Sequence, residues 1–462
     1  AASDVYKRQV QEEDGIEHSL GAGLVASFIE SLPYELTGAQ QRVIDEIQSD
    51  MASPHPMHRL LQGEVGSGKT VVAMAALLTG VQGGYQGAVM APTEVLAEQH
   101  HLGLAPLAEA VGVRMALLTG SSADREAVIE AVAAGTVDVV VGTHALIQEG
   151  VSFARLGIAV VDEQHRFGVH QRVSLREKAD GPQPDLLIMT ATPIPRTLSM
   201  TLYGDLDVSI LDEMPAGRQE TRTISADPGD LQQVWDLVRT EAAAGRQAFV
   251  VCPLVEDSDK LQAASATAEH ERLQRVFPDL DVGLLHGQMR PAEKEAVMER
   301  VRNREVDVLV ATTVIEVGVD VSEASVIIIE AADRFGLAQL HQLRGRVGRG
   351  ARKSWCVLLA AEQISEHGRR RLQAICDSQD GFEIAEADLR IRGPGEFLGT
   401  RQSGRLPDLR IADLTRDVRK IGIARAAAQQ TLARDPRLKG SAGLADAVRA
   451  RWGDRLALVG VG

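Results

Sequence analysis

The chain has 462 residues, 44% of them hydrophobic and 24% charged, with a formal net charge of −15, and this length predicts two or three domains rather than one core. The three cysteines, Cys252, Cys356 and Cys376, form no C-x-x-C pair, which argues against a disulfide framework or a multi-cysteine zinc site. No apolar run approaches the roughly 18 residues of a membrane span, and the acidic balance alone argues against nucleic acid as a partner.

The first residues of the chain do not resemble the start of a natural protein. Residues 4–9, Asp-Val-Tyr-Lys-Arg-Gln, can be encoded by GATGTGTATAAGAGACAG, a transposon end used to prepare sequencing libraries. We therefore expect residues 1–9 to be non-native and adapter-derived, and the natural protein to extend further upstream.

Short apolar runs rich in Val, Ile and Leu recur along most of the chain, separated by segments that can form helices. Such runs indicate buried parallel strands of α/β domains. A first set is predicted at 59–62, 88–91, 114–118, 137–141, 158–161 and 186–189. After a proline-containing link at about 215–228, a second set is predicted at 247–252, 282–285, 306–311, 325–330 and 355–359.

These patterns predict two tandem α/β domains with parallel sheets, over residues 10–225 and 226–378. The tail lacks the alternation of strands and helices. We predict that residues 379–462 form a small, mostly helical C-terminal domain around a glycine-rich loop.

The first predicted strand leads into a glycine-rich segment that fits the pattern G-x-x-x-x-G-K-[ST]. Backbone N–H groups of such a loop close around phosphates, and the start of the following helix adds positive potential. Lys69 would reach the β- and γ-phosphates, and Thr70 would bind Mg²⁺. A glycine-rich turn without phosphate is the alternative, and the agreement of strand, loop and helix argues against it. The predicted loop comprises Gly63, Glu64, Val65, Gly66, Ser67, Gly68, Lys69 and Thr70.

A second candidate element, Asp162-Glu163-Gln164-His165, follows the buried run 157–161. A carboxylate at a strand end can hold Mg²⁺, and its neighbour can orient or deprotonate the attacking water. We assign the first role to Asp162 and the second to Glu163. A solvated turn is the alternative, but the pair follows a phosphate loop and ends a strand of the same kind of sheet.

The third element is the arginine-rich segment 342–349, which contains Gln342, Arg346 and Arg349. Arginines separated by glycine cannot all lie in a core. Guanidinium groups can neutralise charge on a transferring γ-phosphoryl group, which contributes roughly 10³ to 10⁵ in rate. A basic nucleic-acid loop unconnected with ATP is the alternative interpretation.

Charge is unevenly distributed along the chain. Residues 340–425 contain 17 Arg or Lys and 11 Asp or Glu, a local balance of +6, so the remainder carries −21. A basic segment on an acidic body is a candidate contact for a polyanion. The alternative is that these arginines cover solvated helix faces.

In this order, the three elements resemble motifs I, II and VI of superfamily 2 helicases and translocases. Segments 91–94, 190–193 and 311–320 resemble motifs Ia, III and V, and Gln40 resembles the adenine-reading glutamine. The resemblance implies two RecA-like P-loop domains that bind ATP in their cleft and nucleic acid across their top. It adds Gly318 and Asp320 to the nucleotide site. The implied backbone-contacting and coupling positions are Thr93, Thr119, Thr143, Thr312, His165, Thr190 and Thr192.

The tail segment 390–404 resembles the translocation motif shared by the RecG family and the transcription-repair coupling factor Mfd. Its form, Gly-Pro-Gly-Glu-Phe followed by Gly-Thr-Arg-Gln-Ser-Gly, is similar to the RecG family, and Mfd departs from it at these positions. A glycine-rich connector with incidental arginines explains neither the length nor the Arg-Gln-Ser cluster. The resemblance implies that Arg401 and Gln402 couple or grip the duplex and that Arg390 and Arg392 anchor the hairpin.

The RecG resemblance implies a bacterial ATP-dependent DNA helicase that uses ATP and Mg²⁺. Such an enzyme moves on double-stranded DNA, reverses stalled replication forks and migrates Holliday junctions in recombination and repair. The implied partners are branched double-stranded DNA and, among proteins, single-stranded DNA-binding protein. The chain is expected to be a monomer without membrane contact, located in the cytoplasm at the nucleoid.

Two other functions stay open on the sequence alone. One is an Mfd-like transcription-repair coupling translocase, and the other is a non-catalytic nucleic-acid binding module. RecG proteins also carry a large N-terminal part with an oligonucleotide-binding wedge, whereas this sequence has at most some thirty residues before its first domain. We therefore expect a fragment that lacks the wedge, which leaves its fork specificity open.

Overall fold

The structure is a computed structural model of the chain. It describes most of the chain, and the predicted adapter residues 1–9 lie outside the described part. No helix within this part is long and apolar enough to cross a membrane. The described residues are 14–21, 23–122, 124–148, 150–162, 181–191, 206–215, 220–253, 259–313, 324–348, 352–361, 364–397, 417–435, 438, 440–441, 443–448 and 450.

The first sheet has seven parallel strands in the order β3-β4-β2-β5-β6-β1-β7. Its five central strands are buried along their whole length. This burial explains why they are continuous apolar runs rather than alternating ones. The strands are β1 His58–Gly63, β2 Gln86–Met90, β3 Met115–Leu118, β4 Val139–Gly142, β5 Leu156–Asp162, β6 Asp185–Thr190 and β7 Asp207–Leu211.

Within the described residues, five helices accompany this sheet. Helix α3 starts directly after the glycine-rich loop, and its residues from Val71 to Gly80 are all buried. It is therefore packed in the interior of the first core, and its first residue marks the end of the loop. The helices are α1 Leu24–Ser31, α2 Gly38–Met51, α3 Lys69–Gln82, α4 Glu94–Ala110 and α5 Arg125–Ala133.

The second sheet has six parallel strands in the order β10-β11-β9-β12-β13-β8. The strands are β8 Thr221–Ala226, β9 Gln247–Val251, β10 Val282–Leu285, β11 Val308–Ala311, β12 Ala324–Ile329 and β13 Ser354–Leu359. The remaining helices are α6 Leu231–Ala243, α7 Asp259–Val276, α8 Pro291–Arg302, α9 Leu337–Arg344, α10 Glu366–Asp377, α11 Gly381–Phe397 and α12 Val418–Arg434.

The predicted fold class is confirmed: two α/β domains with parallel sheets are followed by a helical tail. The chain divides into two compact units, with the first sheet in one and the second sheet in the other, within 214–399. The predicted division at 225/226 falls at the end of β8, which already belongs to the second sheet. The predicted division at 378/379 falls between α10 and α11, which both belong to the second unit.

Two strands, β7 and β8, were not predicted, and each forms an edge of its sheet. Strand β8 lies inside the segment at about 215–228, which was predicted to be a link because it contains prolines. Its sequence, Thr-Arg-Thr-Ile-Ser-Ala, is largely polar, and its middle residues are partly exposed. The edge strands β3 and β10 keep apolar runs, so an edge position permits a polar strand such as β8 without requiring one.

A partly buried carboxyl group lies at the carboxyl end of β12 in the second unit. Glu330 follows this strand, and Arg272 on α7 donates to its Oε1 at 3.4 Å while also pairing with Glu269. Burial, reinforced by the neighbouring Glu269, raises the pKa of Glu330 to about 8, and Arg272 opposes the shift. In the folded chain Glu330 therefore keeps its proton at pH values where an unfolded chain has lost it.

Replacing Glu330 with glutamine is expected to stabilise the second unit in alkaline solution more than in acid. Between the ordinary glutamate pKa near 4.5 and about 8, the folded state binds the extra proton, so its stability falls as pH rises through that window. Glutamine carries no charge at any of these pH values. The melting temperature of Glu330→Gln relative to the parent should thus rise between about pH 5 and pH 9. Glu366→Gln, at an exposed helix position, is the control. If the melting temperature of Glu330→Gln differed from that of the parent by the same amount at both pH values, the argument from burial would be contradicted.

Candidate nucleotide site and nucleic-acid positions

The carboxyl edge of the first sheet gathers three of the predicted motifs. Strand β1 pairs with β6, which places Gln62 opposite Thr190, and β6 pairs with β5, which places Met189 opposite Asp162. Gly63, Thr190 and Asp162 consequently end three adjacent strands on the same edge. This edge is where parallel α/β sheets place their ligand sites.

The glycine-rich loop has the backbone that a phosphate cradle requires. Gly66 and Gly68 have φ values of 84° and 87°, in the left-handed region that glycine adopts without strain. Lys69 begins α3, and its Nζ donates to the carbonyl oxygen of Gly63 at 2.8 Å, so the ammonium group bends back over the loop. A Cβ at position 63 would lie 2.5 Å from Ser67 Oγ. The loop therefore leaves no room for a side chain at Gly63 or Gly68, which fits the close approach of phosphate oxygens to the backbone.

Gln40 connects the start of α2 to this loop. Its Oε1 accepts from the N–H of Thr37 at 2.9 Å, while the Thr37 hydroxyl caps the helix by accepting from Gln40 N. The Nε2 of Gln40 donates to the carbonyl oxygen of Ser67 at 2.9 Å, and the side chain is buried. The predicted adenine-reading residue thus lies against the phosphate loop and holds part of its backbone.

Substitution of Gly68 by alanine is expected to distort the phosphate loop. A Cβ there would stand 2.1 Å from Gln40 Nε2, in addition to the strain of a left-handed alanine. Gly112 has a similar φ of 76° but open space around its missing Cβ, so Gly112→Ala carries the strain alone, about 1 to 2 kcal/mol. Fluorescent nucleotide titration should show at least roughly tenfold weaker binding for Gly68→Ala, equivalent to about 1.4 kcal/mol. Equal binding by the two variants would show that the contact with Gln40 is unimportant.

Asp162, the last residue of β5, is largely buried and contacts a histidine that the sequence analysis did not select. The Oδ2 atom of Asp162 lies 2.7 Å from Nε2 of His100 on α4. Their side chains are 12% and 13% exposed, so water screens the contact weakly. The predicted metal ligand is therefore held by a neighbouring helix.

The predicted DNA-contacting threonines follow strands at the carboxyl edges of the two sheets. Thr93 caps α4 by accepting from Leu96 N at 3.3 Å, and the buried Thr119 lies 3.0 Å from the Ser122 hydroxyl. Thr143 begins a single 3-10 turn after β4. Thr312 follows β11 and donates its backbone N–H to Leu285 at the end of β10. The hydroxyl groups of Thr93, Thr119 and Thr143 hold the loops at the strand ends, and the contacts of all four threonines with DNA stay a prediction.

The arginine-rich segment of the second unit begins on α9, which contains Gln342, and continues through Arg346. Its first arginine, Arg344, lies in the interior. The Nη1 atom of Arg344 donates to the carbonyl oxygens of Ile375 at 2.9 Å and Ser378 at 2.7 Å, and Nη2 donates to that of Gln379 at 3.1 Å. Arg344 thus caps the carboxyl end of α10 and fixes the turn into α11.

Helix α11 contains both predicted hairpin anchors. Arg392 Nε donates to Asp388 Oδ1 one turn earlier at 2.8 Å, and a Cβ at Gly336 would lie 2.6 Å from its Nη2. Arg390 is exposed, and its Nε donates to the carbonyl oxygen of Glu386. Arg392 therefore packs against the residue that precedes α9, whereas Arg390 projects to solvent.

The remaining predicted site residues form two groups, those that the structure places and those outside its described part. Thr70 is on the first turn of α3, and Glu64 and Val65 lie in the phosphate loop. Residues outside the described part of the chain are Glu163, His165, Thr192, Gly318, Asp320, Arg349, Arg401 and Gln402.

Sequence reasoning missed the roles of two described residues, His100 and Arg344. His100 stands in the segment after motif Ia, and its partner is 62 positions away in the chain, so no local pattern marks it. Arg344 belongs to the arginine-rich motif, but its interior position depends on the packing of α10, which no spacing in the sequence specifies.

The fold and the site define a two-domain helicase core. Residues 37–201 match the DEAD/DEAH box helicase family, and residues 230–351 match the helicase conserved C-terminal domain. Residues 378–442 match domain 3, C-terminal, of the ATP-dependent DNA helicase RecG. The chain is therefore RecG-like, with two helicase domains followed by a segment that matches the third domain of RecG.

Relatives from two bacteria support this assignment. The chain is 51% identical to the ATP-dependent DNA helicase RecG of Synechocystis sp., with 94% of this chain and 52% of the relative covered. It is 48% identical to that of Bacillus subtilis, with 93% and 63% covered. The chain thus spans between about half and two thirds of the length of these relatives, and the matches do not favour the Mfd alternative.

Solved structures agree with the fold. A structure of RecG bound to a three-way DNA junction matches with a TM-score of 0.74 and 42% identity, covering 91% of this chain and 55% of that one. The helicase Mss116p, bound to single-stranded RNA and a nucleotide analogue, matches with a TM-score of 0.59 at 16% identity, covering 77% and 75%. The second likeness concerns the fold alone.

Proposed function

We propose that this chain is an ATP-driven motor that moves on double-stranded DNA and remodels branched DNA. The observation that carries the proposal is the arrangement at the carboxyl edge of the first sheet. There a phosphate loop with left-handed glycines follows β1, Lys69 bends back over that loop from the start of α3, and the carboxylate of Asp162 ends β5, two strands away in the sheet. Groups of these kinds bind the phosphates and the metal in phosphoryl transfer from ATP.

The proposed nucleotide chemistry assigns one task to each group. Lys69 binds the β- and γ-phosphates, Thr70 and Asp162 hold Mg²⁺, and Glu163 orients or deprotonates the attacking water. The metal neutralises charge that develops on the phosphates. Gln342, Arg346 and Arg349 stabilise the transferring phosphoryl group, and Gln40, Gly318 and Asp320 complete the recognition of the nucleotide.

The proposed substrate is branched duplex DNA, such as a replication fork or a Holliday junction. The RecG structure that this chain resembles is bound to a three-way DNA junction, which supports this choice. Short hydroxyl side chains at strand ends suit contacts with the DNA backbone, which position a protein without reading bases. Arg390 is exposed on α11 and is available to a phosphate. We further propose a monomeric motor in the bacterial cytoplasm, at the nucleoid, with single-stranded DNA-binding protein as a partner.

ATP hydrolysis measured with forked and linear duplexes of equal length tests this function. The rate should rise on adding either DNA and rise more with the fork, and the effect should weaken from about 50 to 200 mM salt because phosphate contacts release counterions. Gln402→Ala should reduce fork reversal more than hydrolysis, since Gln402 is assigned to coupling. Hydrolysis that ignores DNA would refute the motor proposal, and equal loss of both activities in Gln402→Ala would refute the coupling role.

A further inference from the structure

The contact between His100 and Asp162 joins helix α4, which follows motif Ia, to the end of β5, where motif II begins. His100 lies on the second turn of α4, and Asp162 ends β5, and both belong to the first compact unit. Helix α4 follows β2, which is the neighbour of β5 in the sheet. This topology lets a side chain on the early part of α4 reach the end of β5.

The chemistry of the two groups fixes the direction of the hydrogen bond. An ionised carboxylate only accepts hydrogen bonds, so the imidazole must donate from Nε2 at the observed 2.7 Å. A charge-assisted bond of this length in a largely buried place is stronger than a neutral one in water. It restricts rotation of the Asp162 carboxylate and determines how its two oxygens are presented.

We propose that His100 is a positioning residue for the metal ligand Asp162. This inference rests on the proposed role of Asp162 in holding Mg²⁺. Carboxylates that ligate metals are themselves held by hydrogen bonds, and loss of such an outer partner typically weakens metal affinity about 10- to 100-fold. Mg²⁺ demands near-ideal octahedral geometry, so a carboxylate that rotates freely binds it less well. His100 orients the carboxylate and does not touch the nucleotide.

The test uses the full chain and a fluorescent ATP analogue, with binding followed as Mg²⁺ is added. The half-saturating Mg²⁺ concentration should rise by about 10-fold in His100→Leu, while binding of the analogue in EDTA stays unchanged. A role confined to folding would alter both. His101→Leu, on the adjacent helix position, is the matched control and should keep the parent's Mg²⁺ dependence.

Two polar variants keep the test decisive if His100→Leu does not fold. The amide Nε2 of glutamine can replace imidazole Nε2, whereas asparagine is too short to reach that position. His100→Gln should therefore stay within about threefold of the parent, and His100→Asn should resemble the leucine variant. Equal Mg²⁺ dependence of the two would overturn the proposal.

Asp162→Asn distinguishes the positioning role of His100 from the proposed metal-ligand role of Asp162. If Asp162→Asn raises the Mg²⁺ requirement and the His100 variants do not, the positioning role is wrong and the metal-ligand role stands. If Asp162→Asn leaves the Mg²⁺ requirement unchanged, both roles are wrong, since His100 acts only through Asp162.

Discussion

Replacing Lys69 with alanine is expected to abolish ATP hydrolysis. Lys69 is the first residue of α3, and its ammonium group reaches back across the phosphate loop to Gly63. We propose that it neutralises charge on the β- and γ-phosphates from that position as the terminal phosphoryl group departs. Removal of a single preorganised donor at such a site costs roughly 10² to 10³ in rate, and Lys69 supplies a full charge. The turnover rate in saturating DNA is the quantity to measure.

The control for this variant is Lys353→Ala, which removes the same charge from an exposed position just before β13. Its turnover should lie near that of the parent. Both proteins should melt at similar temperatures, because Lys69 contributes to nucleotide chemistry rather than to a core. If Lys69→Ala retained most of the parental rate, the assignment of the phosphate loop would be wrong.

Replacing Arg344 with methionine should produce the largest loss of stability among the variants considered. Its guanidinium group is buried and donates to the three carbonyl oxygens at the end of α10. Methionine fills a similar volume but leaves those acceptors without donors. A buried acceptor left unsatisfied costs about 1 to 3 kcal/mol, so three of them cost at least about 3 kcal/mol, which lowers the melting temperature of a unit of this size by roughly 10 °C.

Two further variants isolate the cause of that loss. Arg344→Lys keeps the charge but cannot donate in two directions from one plane, so its melting temperature should be intermediate. Arg370→Met removes an exposed guanidinium from the same α10, where it pairs with Glu366, and should change the stability by less than about 1 kcal/mol. Identical melting temperatures for Arg344→Met and Arg370→Met would show that the cap of α10 is not stabilising.

The sequence was informative wherever one local pattern determined one structure. Strands such as β5 were predicted because burial on both faces demands a continuous apolar run. The phosphate loop was predictable because only glycine permits the backbone at Gly66 and Gly68. Strands β7 and β8 lacked the apolar signal because most of their residues are partly or fully exposed at the edges of their sheets, where a polar sequence is tolerated.

Features created by contacts between distant segments could not be predicted. His100 resembles any helix histidine until β5 brings Asp162 beside it. Arg344 stands among arginines that suit phosphate binding, yet it caps a helix that begins 22 residues later, at Glu366. The overall acidity likewise argued against nucleic acid, the partner that we propose. The excess negative charge lies outside residues 340–425, whereas that segment carries +6 and contains both the arginine-rich motif and α11.

Displacement of a third strand from a DNA triplex measures movement along duplex DNA without requiring a branch. A short strand bound in the major groove is removed when a motor passes, and its release can be followed by fluorescence. We expect release to require both ATP and Mg²⁺, and to be lost in Lys69→Ala. ATP hydrolysis by this chain without any release of the third strand, or release that continues without ATP, would contradict the proposal that it is an ATP-driven motor on double-stranded DNA.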